Sequence, residues 1–498
     1  MASRAADTAV PRRKYSKIPG AAGSVLPPLD ADFISDSFDR VTGAELVRGN
    51  DVRLLIDATE NYPEWLAAIR SAERRILFES YIIHEDEQGE IFAEALIEKA
   101  REGVEVKLIY DWLGGLGNAS RSFWRRMRRG GVDVRCYNPP RLLDPLAFFS
   151  RDHRKTIVVD GRVAFVGGLC VGQEWVGRPD RDIPPWRDTG VKITGPAVAD
   201  VEAAFAEVWA TMGSPLDQAS LTRRDEIGPA GTVALRVVQS VPGTAHLYRT
   251  DQLLAVAARE RMWLTDAYFV GIPSYLQALK DAAADGVDVR ILVPQSTDIG
   301  IIRETTRSTY RPLLEAGIRV FEWNGPMMHA KTAVFDGRFS RVGSTNLNVV
   351  SWFGNYELDV LVEDDEFAYR MEEQFEIDMA NSTEIVLADV EPKKVPRKAK
   401  PARRGQRRRR RIRRGNGSMR KATAGALNAA TSISTALANR SQLGPAESRL
   451  LFIAGTALLM LAVLFVFFPR GAAYTVVVLL LLLAIPTLIK AVQNYRNN

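Results

Sequence analysis

The sequence predicts an α/β fold of two related halves, each a mixed β-sheet flanked by helices, followed by a C-terminal transmembrane helical hairpin. Three observations predict it. The run His153-Arg-Lys155-Thr-Ile-Val-Val-Asp160-Gly161 recurs as His329-Ala-Lys331-Thr-Ala-Val-Phe-Asp336-Gly337. Around both copies, helical and extended patterns alternate, which argues for a largely parallel or mixed sheet with helices on its faces. Two long apolar runs then lie close to the last residue.

Residues 1–45 begin small, Pro-rich and mildly basic, with no apolar run, and read as a disordered tail. Residues 46–228 form the first half and 229–390 the second. Glu79-Ser-Tyr-Ile-Ile matches Asp266-Ala-Tyr-Phe-Val. Glu102-Gly-Val-Glu-Val-Lys-Leu-Ile matches Asp285-Gly-Val-Asp-Val-Arg-Ile-Leu, and Gly131-Val-Asp-Val-Arg matches Gly317-Ile-Arg-Val-Phe. Each half reads helix, strand, helix, strand, helix, strand, then the signature. Gly131 and Gly317 lie 186 positions apart but His153 and His329 only 176, so the first copy carries about ten extra residues. They fall at 141–150, an apolar loop before His153. Such a loop either packs on its own domain or touches an acyl chain or membrane beside the site.

Residues 391–446 form an Arg/Lys-rich linker. Within it, 393–421 holds 16 Lys and Arg and no acid, leaving 50 basic against 60 acidic residues elsewhere. The net +6 thus averages an acidic body and a basic segment. Residues 447–498 are expected to form two transmembrane helices. Leu450 to Phe468 is 19 uncharged residues and Ala472 to Ile489 is 18, each about the 20 needed to span a bilayer. The alternative, a buried hairpin in a soluble core, fits less well because these runs are apolar on every side. Flanking Lys and Arg place both ends in the cytoplasm. The expected location is the inner (plasma) membrane, multi-pass, with a cytoplasmic body. The two cysteines, Cys136 and Cys170, cannot make a disulfide framework, and no metal-ligand spacing appears.

The chain has four histidines, and two occupy matched positions in the signature. In a strand, positions i and i+2 face the same way, so each histidine points with its lysine. Asp-Gly is a strong hairpin signal. Asp160 and Asp336 therefore sit at turns, better placed to support the structure than to touch a ligand. A neutral imidazole can attack phosphorus and a protonated one can donate to a leaving oxygen. An unperturbed pKa near 6.5 permits one of each at neutral pH. Lys155 and Lys331 can stabilise phosphoryl charge. A carboxylate on the far ring nitrogen would fix each tautomer; Glu174 and Glu357, 21 and 28 residues past the histidines, are the candidates. His84 and His246 lack a repeat partner and read as ordinary residues. Together these groups point to phosphodiester exchange without a metal.

The chain resembles the phospholipase D superfamily, defined by H-x-K-x4-D in duplicate, from about Asp51 to Ile385, and more narrowly the bacterial cardiolipin synthases of that type. Residues His153 to Gly168, Glu174, Trp186-Arg-Asp-Thr189, Val342-Gly-Ser-Thr-Asn346-Leu, Ser351 and Asn355-Tyr-Glu357 carry the likeness. It implies two phospholipase-D-like repeats, supporting roles for Ser344 and Asn346, and no cofactor or metal. It also implies a phosphohistidine, usually on the first histidine, while the other protonates the leaving alcohol. With a second phosphatidylglycerol as acceptor, the products are cardiolipin and glycerol; with water, phosphatidic acid, the phospholipase D alternative. Cys170 stands where the family has Asn, and Asn348 and Val350 replace an Asp and an Arg. A nucleic-acid phosphodiesterase or binding protein is the third reading, from Arg407 to Arg411, since a polybasic run binds phosphate polymers. Beside a membrane span, such a run gains about 1 kcal/mol per Lys or Arg from anionic lipid. The expected partners are therefore phospholipid substrates and the anionic membrane surface through 393–421, with no obligate nucleic acid. The sequence is silent on oligomeric state.

Overall fold

The computed structural model describes residues 31–140, 150–298 and 300–387, with residues 456 and 460 helical beyond them. The repeat is visible strand by strand. The first half contains β1 (Val47–Ile56), β2 (Arg75–Ser80), β3 (Glu105–Asp111), β4 (Asp133–Tyr137), β5 (Lys155–Val159), β6 (Val163–Gly167) and β7 (Thr189–Thr194). The second contains β8 (Val233–Ser240), β9 (Arg261–Thr265), β10 (Asp288–Pro294), β11 (Arg319–Trp323), β12 (Thr332–Phe335), β13 (Phe339–Gly343) and β14 (Glu357–Glu363), with β15 (Ser382–Ile385) added at its edge.

These strands join into one 15-stranded sheet, in the order β15-β11-β10-β9-β12-β13-β14-β8-β1-β7-β6-β5-β2-β3-β4. Read outward from the β8–β1 junction, the two halves have the same order. Within each half, the outer strands are parallel (β2–β3–β4 and β9–β10–β11) and the inner ones antiparallel. Parallel strands need a helical crossover and so are covered on both faces. Their sequences agree: Ile76, Leu77 and Phe78 of β2 are consecutive, apolar and buried. Helix Glu87–Arg101 supplies one crossover. Its N-cap Asp86 accepts from the Gly89 N–H, and it buries Phe92, Leu96 and Ile97. Helix termini leave unpaired N–H groups, and such a cap contributes about 1 kcal/mol.

Each half has an apolar core of its own, that of the second also taking in Phe38, and a third core is shared between the halves. The shared core gathers Phe205 and Trp209 from the first half with Val360, Phe367 and Phe375 from the second. Fully burying such a side chain stabilises by about 1.5–3 kcal/mol. Polar ties also cross the junction. Arg187 forks onto both carboxylate oxygens of Asp378 at 2.9 Å. Arg154, fully buried, donates to the Glu357 and Ser240 carbonyls and to Gln239 Oε1.

One expectation changes here. Residues 31–42, inside the expected 1–45 tail, form helix Ala31–Thr42, whose Phe38 is buried against Phe339 of the second half at 5.6 Å. An amphipathic repeat within a short polar stretch escaped the reading. The linker at 391–446 lies outside the described residues, as do the 141–149 loop and, apart from residues 456 and 460, the 447–498 hairpin. Among the described residues, no helix is long and apolar enough to cross a membrane.

Candidate active site

Both signatures fold as hairpins. Asp160 and Gly161 adopt φ of +56° and +68°, and Asp336 and Gly337 +51° and +65°. This left-handed region is open to Gly and tolerated by Asp. The Asp side chains point away from the histidines. Asp160 accepts the backbone N–H groups of Glu73, Arg74 and Arg75 at 2.8–2.9 Å. Asp336 accepts those of Arg259, Glu260 and Arg261 at 2.8–2.9 Å. Each thus clamps the turn that leads into β2 or β9, the strand beside its own hairpin. These bonds pull Asp160 below the usual carboxylate range despite its burial.

The histidines lie just before β5 and β12, at the ends of the hairpins opposite the turns. Each is held by the other half. The His153 N–H donates to the Tyr356 carbonyl at 2.9 Å, and the His329 N–H to the Arg187 carbonyl at 2.7 Å. The side chains cross in the same way. His153 Nδ1 lies 3.0 Å from Glu357 Oε2, and His329 Nδ1 lies 2.7 Å from Asp188 Oδ2. Glu357 is the first residue of β14, and Asp188 immediately precedes β7. Ionised carboxylates only accept, so each Nδ1 carries the proton and each Nε2 presents a lone pair.

Electrostatics favours that state. Burial and the neighbouring Lys331 push His329 down to about 4, against the pull of Asp188. Burial likewise lowers His153, opposed by Glu357 and reinforced by Lys155. Burial alone would raise Asp188, but His329, Lys331 and the Trp175 indole N–H hold it at about 2. Glu357 is also held below its usual value, through His153, Lys155 and the Ser344 hydroxyl. We assign neutral imidazoles beside ionised carboxylates, because two buried carboxylates and two buried ammonium groups already balance.

Lys155 and Lys331 are buried, and each donates to the carbonyl of its own histidine. An ammonium has three donors, so two remain on each for a ligand. Lys331 is pushed down to about 8 by burial, with Lys155 adding repulsion. That repulsion, and the effect of each lysine on the opposite histidine, gathers both signatures around one charge cluster. Ser344 Oγ donates to Glu357 Oε2 at 2.6 Å, and Asn355 Nδ2 to Glu357 Oε1 at 3.1 Å. Asn346 is buried, and its Oδ1 has no partner. Cys170 occupies the matching place in the first half, also buried.

Glu174 does not reach either signature histidine. It is half-exposed and lies 3.6 Å from His84 Nε2. With Asp86 these residues form the one group of three ligand-type side chains among the described residues. Both Asp86 oxygens are already engaged by the Gly89 and Gln173 N–H groups. Asp188 holds the place expected of Glu174. The spacing misled because the loop between the hairpin and the next strand is longer in the first half, 168–188 against 344–356. Matching the strands β7 and β14, rather than counting from the histidines, would have found Asp188. The sequence reading also missed the aromatic wall. Tyr81 packs edge-on to His153 at 5.0 Å; Trp175, Trp186 and Tyr268 surround His329 at 5.5, 5.6 and 6.1 Å.

Comparison with known proteins follows the same lines. A family model described as cardiolipin synthase, PLD-like domain matches residues 65–174 and 253–379, one segment in each half. The chain is 35% identical over 341 residues to cardiolipin synthase A of Pseudomonas fluorescens, covering 68% of this chain and 70% of that protein. It is 34% identical over 346 residues to cardiolipin synthase 1 of Bacillus anthracis, covering 67% of each. The crystal structure of phosphatidylserine synthase from Haemophilus influenzae superposes with a TM-score of 0.55 at 16% identity, over 70% of this chain and 91% of that one, a likeness of fold.

Proposed function

Because the chain belongs to the cardiolipin synthase family with its PLD-like domain, we propose that it condenses two phospholipids, two phosphatidylglycerols giving cardiolipin and glycerol, through a phosphohistidine. It is an enzyme of the phospholipase D superfamily with transferase activity and phospholipid substrates. The observation that carries the mechanism is the crossed pairing of His153 with Glu357 and His329 with Asp188. Neither half holds a complete histidine–carboxylate pair, so the site works only as a composite.

In the first step, the Nε2 lone pair of one histidine attacks the donor phosphorus, and the P–O bond to glycerol breaks. The other histidine, protonated at Nε2 in the substrate complex, gives that proton to the leaving oxygen. The incoming phosphate anion supplies the negative charge that favours imidazolium in this buried site. In the second step, the same histidine removes the acceptor hydroxyl proton as the alkoxide attacks the phosphohistidine. Lys155 and Lys331 face the phosphoryl oxygens, where preorganised charge lowers the barrier. Asp188 and Glu357 fix the tautomers, Ser344 orients Glu357, and the Asn346 Nδ2 amide, the donor end of that side chain, serves the phosphoryl group. Asp160 and Asp336 hold the hairpins. Glu174 has no part in proton transfer.

The same reading places 447–498 in the inner membrane as a hairpin with the body on the cytoplasmic side. The 393–421 segment then lies against anionic lipid, at about 1 kcal/mol per favourably placed basic residue. The five-part division at 45, 228, 390 and 446 stands as a proposal, with the tail shortened by the Ala31–Thr42 helix.

The test supplies purified protein in mixed micelles with labelled phosphatidylglycerol and separates the products. Cardiolipin with glycerol is expected. Phosphatidic acid alone would move the assignment to a hydrolase, and cleavage of nucleic acid without lipid turnover would overturn both.

A further inference from the structure

Large apolar side chains exposed to water are few among the described residues, and four of them frame the site. Leu113 is 38% exposed, Leu116 58%, Ile183 48% and Val350 55%. All lie on segments that leave the sheet at the edge carrying the histidines. Leu113 and Leu116 follow β3, whose last residue, Asp111, accepts the N–H of Asp152 beside His153. The turn between them is seated tightly on the aromatic wall: a Cβ on Gly114 would lie 2.0 Å from the carbonyl oxygen of Tyr81. Ile183 precedes Trp186, which walls His329. Val350 follows Asn348, whose amide donates to the Tyr268 carbonyl at 3.0 Å.

The helix Arg121–Arg129 begins five residues after Leu116 and carries five arginines and no acid. Phe123, Trp124 and Met127 anchor it, with Trp124 stacked on Tyr110 of β3 at 3.8 Å. Arg126 pairs with Glu90 and Arg128 donates to the Val134 carbonyl. Arg121, Arg125 and Arg129, spaced i, i+4 and i+8, share one exposed stripe. Among the described residues they form no ion pair. The stripe starts with Arg121 near the sheet edge where β3 ends and the histidines lie, and runs back along the flank of the first half toward the start of β4. Beside it runs an open groove of about 590 Å³ lined by Arg101, Arg125, Arg126 and Arg129 with Glu85 and Glu90.

We propose that Leu113, Leu116, Ile183 and Val350 with the Arg121–Arg129 stripe form a docking platform that seats the mouth of the site on an anionic phospholipid bilayer. Apolar tips enter the headgroup boundary and arginines take the lipid phosphates, the two terms that bind interfacial segments. Charge complementarity selects this occupant: unpaired arginines flank apolar tips around a site whose proposed substrate is an anionic lipid. The inference rests on that reading of the substrate. It places membrane contact on the folded body itself, apart from the 393–421 segment and the 447–498 hairpin.

The test is hydrogen–deuterium exchange of the full chain on phosphatidylcholine vesicles with and without phosphatidylglycerol, using His153→Ala so that no turnover occurs. Slower exchange over 113–129 only when phosphatidylglycerol is present is expected. Equal exchange on both vesicles, or protection that omits 113–129, overturns the platform. In the active chain, R121Q/R125Q/R129Q should raise the phosphatidylglycerol vesicle concentration giving half-maximal turnover by roughly a hundredfold, and L113S/L116S by roughly tenfold. Unchanged vesicle dependence in both variants would also refute it. Protection without any lipid turnover by the wild-type chain would keep the platform and sink the proposed reaction.

Discussion

His153 and His329 occupy matched places in a repeated backbone, and each reaches across to a carboxylate at the start of the strand that follows the other half's hairpin. Their surroundings differ. His329 meets Asp188 at 2.7 Å, inside a wall of Trp175, Trp186 and Tyr268. His153 meets Glu357 at 3.0 Å, beside Tyr81, and its carboxylate is further held by Ser344 and Asn355. The partner of His329 is braced by an indole N–H and the Thr189 backbone; the partner of His153 by a hydroxyl and an amide. Duplication thus preserved the proton-holding geometry, while the polarity and packing around each ring diverged. That asymmetry is what the proposed division between an attacking and a proton-transferring histidine rests on.

The comparison breaks most directly at the histidines. His153→Ala and His329→Ala should each lower cardiolipin formation by at least about 10⁴-fold, as expected when a nucleophile or its acid partner is removed. Rapid quench with phosphatidyl-labelled donor distinguishes them. The variant lacking the nucleophile should trap no labelled protein. Full activity of either variant would end the two-histidine mechanism.

Next in size are the crossed carboxylates. Asp188→Asn and Glu357→Gln should each reduce turnover by about 10³-fold, because an amide can leave the imidazole in the wrong tautomer. A loss confined to one of them would show that only one half-site depends on its partner's carboxylate. The turn clamps come third. Asp160→Ala and Asp336→Ala should each lower unfolding stability by about 1–3 kcal/mol, since each leaves three N–H groups without their acceptor. Denaturant unfolding measures this, and properly folded protein should retain the histidine chemistry.

Acid sharpens the comparison further. With His329 lowered from 6.5 to about 4, the unfolded chain binds more protons between those values, so stability falls as pH drops through that window. Asp188, lowered from 3.8 to about 2, contributes stability above 3.8 that is lost as pH falls toward 2. Replacing His329 with Asn should flatten the upper part of the profile in thermal unfolding; an unchanged profile would show that His329 is not held neutral. The smallest effect is expected for Glu174→Gln, at most a few-fold in turnover, because Glu174 faces His84 and not a catalytic ring. A loss as large as that of Asp188→Asn would restore Glu174 to the site.

Much was legible in the sequence because local rules governed it. Asp-Gly with apolar flanks defines a hairpin, and a hairpin turn cannot also hold its Asp beside the histidine at the far end. The role of Asp160 and Asp336 follows from that. The repeat gave the strand succession, since each apolar run is a strand covered on both faces. The pair of Glu357 with a histidine was visible as a carboxylate past the hairpin. Which histidine it serves was not, because spacing along one chain carries no record of which half will lie opposite.

The sequence by itself determined the two signatures, their internal hairpins and the chemical equipment of two imidazoles and two ammonium groups. The tertiary structure alone decided the crossing. Joining the halves at β8 and β1 brings the start of β7 to His329 and the start of β14 to His153. Long-range strand order, unlike turn chemistry, is set by which faces bury one another. The same packing excluded Glu174, selected Asp188, and closed four aromatic rings around the pair.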